Sequence, residues 1–396
     1  MLQVFTHANF RMMYRTKWYF IAFSCLSIAV AAWAMATRGF NLGIDFAGGT
    51  AVQLKFREHP PVEELRAALE KAGLGDISIQ AIGDAVDNEV LIRVEQRRPR
   101  GAATGSEGGE ISGEILEALK SKEERAAAQA GKIDLNMASR ATLQEWLAQH
   151  LQPAAATGEA AQKAGEIAEA LIRYRTEHKG LFGSLQEVAS VPGVPQEAAA
   201  LLASQSTLGR FAVRSVEFVG PTAGRELLVN TGYLIFLSVL GILLYIWFRF
   251  HKWLWGVTAI IALLHDVFIA AGMVALTGKE FSLTVVAALL TILGYSINDT
   301  IVVFDRIREN LRLYREVEFE EVVNASVNQT LSRTMLTSLS LLIAIVALLM
   351  FGGEKLNPMS FTLLVGVSFG TYSSVFVAAA LLVIAARRFG SKYVKA

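Results

Sequence analysis

The sequence predicts an α-helical membrane protein of six transmembrane helices with a ferredoxin-like α+β domain between the first and second. Three observations predict it. Six apolar stretches, residues 18–37, 228–248, 254–276, 281–303, 334–351 and 361–386, are long enough to cross a bilayer, which takes about 17–25 residues. Hydrophobic residues make up 53% of the 396, above the roughly 45–50% of soluble domains, and the excess is clustered in those stretches. Residues 38–225, by contrast, carry the alternating and amphipathic patterns of a water-soluble domain.

The first stretch follows basic residues and contains "AWAMA", which mimics a signal-peptide cleavage site. Its apolar core exceeds the about 7–15 residues of a signal peptide, so an uncleaved anchor is expected. Lys and Arg placement sets the topology. Arg11, Arg15 and Lys17, then Arg249 and Lys252, then Arg306, Arg308, Arg312 and Arg315, and finally Arg387, Arg388, Lys392 and Lys395 fall on one side. The short loops of the other side offer only Lys279 and Lys355. Both termini are therefore expected in the cytoplasm, with residues 38–225 extracytoplasmic. Net charge is only +1 and there is a single cysteine, Cys25. No global field recruits nucleic acid or anionic lipid, and no disulfide framework exists.

Within the soluble region, "GTAVQLKFR" (residues 49–57) alternates like a strand and "PVEELRAALEKAGL" (61–74) is an amphipathic helix. "DISIQAIG" and "NEVLIRVE" alternate again as an antiparallel pair, "GEILEALKSK" gives a second helix and "FAVRSVEFVG" (211–220) a closing strand. This order predicts helices layered on a sheet, split by an insertion between a Gly/Ser/Ala-rich linker (101–109) and about residue 208.

The insertion contains "IDLNMAS", "ALIRYRTEHKG" and "VPGVP" and resembles the helix-hairpin-helix fold of DNA-uptake proteins of the ComEA type. Such hairpins bind phosphate through backbone N–H groups. Here "AQHLQPAAATGEAA" replaces the first hairpin, and Pro195, which has no N–H, stands where the second expects a glycine. Residues 132–208 carry six Lys/Arg against eight Asp/Glu. Both features speak against nucleic acid as a partner and favour a helical docking or spacer module.

Ionisable residues inside the spans are the informative ones, because hydrocarbon offers them no partner. The third span has His265 and Asp266 at its middle. The fourth has Asp299, five residues and so about 7–8 Å from its inner end. The fifth opens with Arg333 at a similar depth. Tyr295 and Ser296 form a polar stripe with Asp299; Thr330, Arg333, Thr337 and Ser340 share a face of the next span. Asp266 lies on a stripe with Ala259, Ala262 and Ala270, small residues that permit close helix approach. These faces are expected to meet. Asp299 reads either as a structural charge paired with Arg333 or as a proton carrier, and Asp266 has the same two readings. His265 reads as a packing residue, and Asp305 and Arg306 as solvated interfacial anchors. No phosphate-binding Gly-x-x-x-x-Gly-Lys-Ser/Thr loop is present, so nucleotide hydrolysis on this chain is excluded as the energy source.

"GIDFAGGT" (43–50), "VEFVGPTAGRELL" (216–228), "GYSINDTIVVFDRIREN" (294–310), "SRTMLTSLS" (332–340) and "GTYSS" (370–374) resemble the SecF proteins of the SecD/SecF family, in order and on the matching spans. The resemblance implies half of a resistance-nodulation-division transporter. It implies SecD and the SecYEG channel as partners, and a role in using the proton gradient to help unfolded secreted chains cross the cytoplasmic membrane of a bacterium. It implies no enzymatic activity and no cofactor, protons being the coupling ion. Asp299 is similar to that family's proton-relay aspartate, Arg333 to its partner arginine and Asp266 to a further intramembrane acid. The insertion departs from the family pattern. An alternative with the same architecture is a stand-alone proton-driven exporter of lipids or small molecules.

Overall fold

The computed structural model describes residues 10–82, 88–95, 107–151, 158–178, 180–250 and 252–390. Residues 101–106 of the expected linker, 152–157 of the replaced hairpin, and Lys392 and Lys395 lie outside them. The chain forms two units, Met1–Phe46 with Glu226–Ala396, and Ala47–Arg225.

The first unit is helical. It holds α1 (Lys17–Arg38), then after the α+β unit α9 (Pro221–Phe250), α10 (Trp253–Thr277), α11 (Leu283–Leu313), α12 (Phe319–Phe351), α13 (Gly353–Tyr372) and α14 (Ala379–Phe389), the last two joined by a π-helical turn, Ser373–Ala378. Six of these segments are long and apolar enough to cross a membrane, α13 and α14 counting as one. The most apolar parts of α10, α11 and α13–α14 are 56–67% buried, against 6–17% for α1, α9 and α12. Three helices thus make an inner layer and three face outward. Helices α11 and α12 continue past their apolar runs with charged turns that hydropathy does not mark. Gly278, at φ +66°, ends α10 in a left-handed cap that a side chain would strain.

A two-residue strand β1 (Asn41–Leu42) just after α1 pairs in parallel with β8 (Glu280–Phe281) between α10 and α11. A four-residue helix, α2 (Ile44–Ala47), follows β1. Elsewhere in this unit Glu320, at the start of α12, is 8% exposed and takes Lys17 Nζ at 2.5 Å and the guanidinium of Arg387. The side chain of Asn324, one turn later, accepts the backbone N–H groups of Met12 and Met13 at 2.9 and 3.2 Å.

The second unit begins with β2 (Gly49–Phe56), α3 (Val62–Lys71), β3 (Asp76–Ile82), β4 (Glu89–Glu95) and α4 (Glu107–Leu119), and closes with β7 (Phe211–Val219). The sheet order is β3-β4-β2-β7, antiparallel throughout. This is the ferredoxin-like order expected from the sequence. Alternation puts Val52, Leu54 and Phe56 on one face, where they meet Leu65 and Leu69 of α3 and Ile115 and Leu119 of α4, spaced four apart as a helix requires. Each fully buried side chain of this kind contributes about 1.5–3 kcal/mol.

Between α4 and β7 lie α5 (Lys122–Gln129), β5 (Ile133–Asp134), α6 (Arg140–Leu151), α7 (Gly158–Glu177), a 3₁₀ turn (Leu185–Ser190), α8 (Gln196–Gln205) and β6 (Ser206–Thr207). Ser121 and Glu124 form a reciprocal capping box that starts α5. Leu135, Leu143, Leu147, Leu171, Phe182 and Leu202 make a separate core. The "IDLN" stretch locks that core. Asn136, 1% exposed, donates to the carbonyl of Gly209 at 3.0 Å and accepts the N–H of Phe182 at 2.8 Å. Asp134 Oδ1 accepts the N–H groups of Asn136 and Gly209, both at 2.9 Å, and a Cβ on Gly209 would lie 2.2 Å from Asp134 Oδ2. Arg175 donates to the carbonyls of Leu135, Asn136 and Ala138 at 2.8–3.1 Å. Pro195 is the N-cap of α8, so the hairpin lacks that donor.

Burial raises the Asp134 carboxyl above its ordinary value. A folded-state value above the unfolded one favours folding fully only below the unfolded value, and that contribution is lost as pH rises through the folded one. Asp134→Asn keeps an acceptor for the same N–H groups without the charge. Hydrogen exchange at the Gly209 amide is expected to be slower in this variant than in the wild type at pH 8. The difference should narrow as pH falls toward the ordinary carboxylate range.

Candidate functional site: two buried carboxylates between α10, α11, α12 and α13

The deepest charge of the membrane unit is Asp266, which is fully buried. Its helix can approach its neighbours because Ala259, Ala262 and Ala270 flank it on one buried face. Gly370 of α13 completes the approach, since a Cβ there would lie 3.2 Å from the Cβ of Ser296 and 3.6 Å from Asp266 Oδ2. Asp266 Oδ2 accepts from Ser296 Oγ at 2.5 Å and Ser373 Oγ at 2.7 Å, and Oδ1 lies 2.8 Å from His265 Nδ1. Three helical segments thus each supply the carboxyl group with one partner. The π turn has a positional consequence. Ser373 and Ser374 are both fully buried, Ser373 on Asp266 and Ser374 within 3.0 Å of Thr300 Oγ1. Such turns widen a helix locally and are frequent at functional sites.

Asp299 lies one turn along α11 from Tyr295 and is 3% exposed. Its surroundings differ from those of Asp266. Ser338 Oγ of α12 is 3.5 Å from Asp299 Oδ2, a long contact, and Ser338 itself accepts from Tyr295 and Thr371 hydroxyls, each at 2.8 Å. The four residues form a hydroxyl chain ending on a weakly held carboxylate.

The expected Asp299–Arg333 pair is absent from this arrangement: among the described residues no ion pair joins them, and Arg333 is exposed. Of the expected stripe Arg333, Thr337 and Ser340 are exposed, whereas Thr330 is buried. The α12 residue that meets Asp299 is Ser338, five positions beyond Arg333 and so about 140° round the helix. The exposed part of the stripe and the Asp299 contact thus lie on different sides of α12. His265 is packed, 5% exposed and 6.3 Å from the Phe369 ring, and beyond that role it bonds Asp266 and has no partner at Nε2 among the described residues. The hydroxyls of Ser338, Thr371, Ser373 and Ser374 were not singled out; their signal was a run of polar residues inside otherwise apolar spans. Arg249 pairs with Asp305 at 2.7 Å on a part-exposed surface, where such contacts contribute about 0–1 kcal/mol.

Six membrane-length helices with buried carboxylates on the inner ones, and an α+β unit inserted after the first, define a multi-pass membrane protein. Residues 200–388 match the model for "Protein export membrane protein SecD/SecF, C-terminal", and residues 33–58 match that of the SecD/SecF GG motif. The chain is 39% identical to protein translocase subunit SecF of Koribacter versatilis over 93% of this chain and 89% of that one. It is 36% identical to the same subunit of Desulfurispirillum indicum, over 96% and 93%. The crystal structure of SecDF from Thermus thermophilus, titled a translocon-associated membrane protein, superposes with a TM-score of 0.63 at 33% identity. That comparison covers 98% of this chain but 40% of the SecDF chain. The chain belongs to the SecD/SecF family of protein export membrane proteins, with the SecF subunits as its full-length relatives.

Proposed function

We propose that the chain works as the SecF-type subunit of the Sec protein translocase, paired with SecD and acting after the SecYEG channel. It uses the proton gradient to help unfolded secreted polypeptides finish crossing the bacterial cytoplasmic membrane. Both termini lie in the cytoplasm and residues 38–225 lie outside. It makes and breaks no covalent bond of its substrate and needs no cofactor beyond the coupling proton.

The observation that carries this reading is the unequal setting of the two buried acids. Asp266 is tied to three partners, two serine hydroxyls that donate to one oxygen and His265 Nδ1 at the other. Protonating Asp299 disturbs one contact of 3.5 Å. Asp299 is therefore the carboxylate that changes state at least structural cost, and Asp266 the fixed acid beside it. Arg333 is the cation toward which an ionised Asp299 turns; the unpaired arrangement is then one of two packings of α11 against α12. A bias of a few kcal/mol between two packings suffices to exchange their populations.

A SecF-depleted strain complemented with this chain tests the reading. Export of a secretory precursor into inverted vesicles should depend on the proton gradient, and SecD should copurify. Equal export with and without the gradient would sink it. The rival exporter of small apolar molecules needs a suitable cavity in the α+β unit. The cleft of about 520 Å³ there is lined by Arg57, Glu58, Glu64, Glu123, Glu124 and Arg210 among others, a charged lining that suits such cargo poorly.

A further inference from the structure

The GG-motif segment does more than lead the chain out of α1. Helix α11 begins without a cap of its own, since the side chain of its N-cap residue Ser282 bonds Thr284 rather than a backbone N–H. The first helical N–H, that of Leu283, is taken instead by Asp45 Oδ2 at 2.9 Å. Asp45 is 238 positions earlier in the sequence. A carboxylate there satisfies an orphan donor and faces the positive end of the helix dipole.

The same segment is held to the α11 entrance at four further points. Asn41 and Leu42 pair with Glu280 and Phe281, and the N–H of Gly43 donates to the carbonyl of Phe281 at 3.0 Å. Phe40 and Phe46 lie against the Phe281 ring, with centroids 4.8 and 5.9 Å away. A Cβ on Gly43 would sit 2.5 Å from Glu280 Oε1, so a larger residue there would make the Glu280 side chain move. Among the described residues the attachment ends at Phe46. Gly48 and Gly49 have φ of +72° and +129°, conformations open to glycine, and Gly49 is the first residue of β2, an inner strand of the sheet.

We propose that Asp45 is a positioning residue that fastens residues 41–46 to α11, so that movement of the helix bearing Asp299 is delivered to β2, with Gly48–Gly49 as the pivot. Asp299 is 16 residues from Leu283 along one continuous helix, a rod of about 24 Å. This rests on the proton-driven reading above, and its test separates the two.

In the full chain, hydrogen exchange at the Leu283 amide should be about fivefold faster in Asp45→Ala and near wild-type in Asp45→Asn, which keeps an acceptor. In a Cys25→Ser background, an N41C/E280C disulfide should leave gradient-dependent export intact, because the two strands move as one body. Inserting two glycines between Gly48 and Gly49 should lower that export about tenfold while leaving Leu283 protected. Unchanged exchange in Asp45→Ala, loss of export on disulfide formation, or full export after the insertion would each overturn the tie. If wild-type export shows no gradient dependence, the proposed function fails, and the exchange result alone decides whether Asp45 holds α11.

Discussion

Asp299→Asn is expected to leave the protein folded and inserted, and to reduce gradient-dependent export at least about tenfold. The amide is close in shape to the carboxylic acid and can accept from Ser338 Oγ, so the contacts to Ser338, and through it Tyr295 and Thr371, need not be lost. What the amide cannot do is lose a proton, so the charged state of α11 disappears from the cycle. The measurement is precursor export into inverted vesicles with the gradient imposed and then collapsed. Residual export without the gradient should match wild type. Full gradient-driven export in the variant would show that Asp299 only holds helices together. Asp266→Asn should behave similarly. Its oxygen can accept from Ser296 and Ser373 and its amide can donate to His265 Nδ1 in the Nε2–H tautomer, so stability should stay near wild type while the loss of the ionisable group lowers export.

Gly272→Val is expected to detach α1 from α10. An ideal Cβ at position 272 would stand 2.3 Å from the Cβ of Ala31 and 2.6 Å from its Cα. Backbone, not a movable side-chain tip, blocks it. Overpacking of this kind costs about 1–3 kcal/mol and more where a helix must shift bodily. The N-terminal half of α1 stays held by the Lys17–Glu320 pair and by Phe20 and Phe23 against Phe369, Tyr372 and Phe376, so the loss falls on the α1–α10 contact. Thermal unfolding in detergent should move down by several degrees. The control is Gly241→Val on α9, where nothing lies within 4 Å and no change is expected.

Hydropathy and alternation made most of the architecture legible: six spans, and the βαββαβ order whose strands pair as β3-β4-β2-β7. Periods of 3.6 and 2 report which residues share a face, and a face half in water must turn its apolar side inward. Inside a bilayer that second inference fails, because lipid and protein core are both apolar. This is why the α12 stripe was read as facing Asp299 when Arg333 faces outward and Ser338 inward. His265 was discounted for a related reason. Its neighbour in sequence became its partner only because α10 is packed on both α11 and the π turn, which bring Ser296 and Ser373 to the other carboxylate oxygen. The π turn itself leaves no periodic mark, since one extra residue in a polar run such as "GTYSS" shifts the phase without changing the composition. In the insertion, "IDLN" was recognised by likeness; its reason is visible only when Asn136 and Asp134 reach Phe182 and Gly209 across gaps of 46 and 75 residues.

The carboxylate of Glu320 bears on how the chain is made. One of its cations, Lys17, stands 303 residues before it in the chain, and the other, Arg387, 67 residues after it. Chains emerge from the ribosome N-terminus first, so α1 must wait in the bilayer while five further spans are delivered. Only arrival of α14 neutralises Glu320 on both oxygens. Biogenesis thus includes a closure step, and a chain cut just before Arg387 would leave the acid held from one side only.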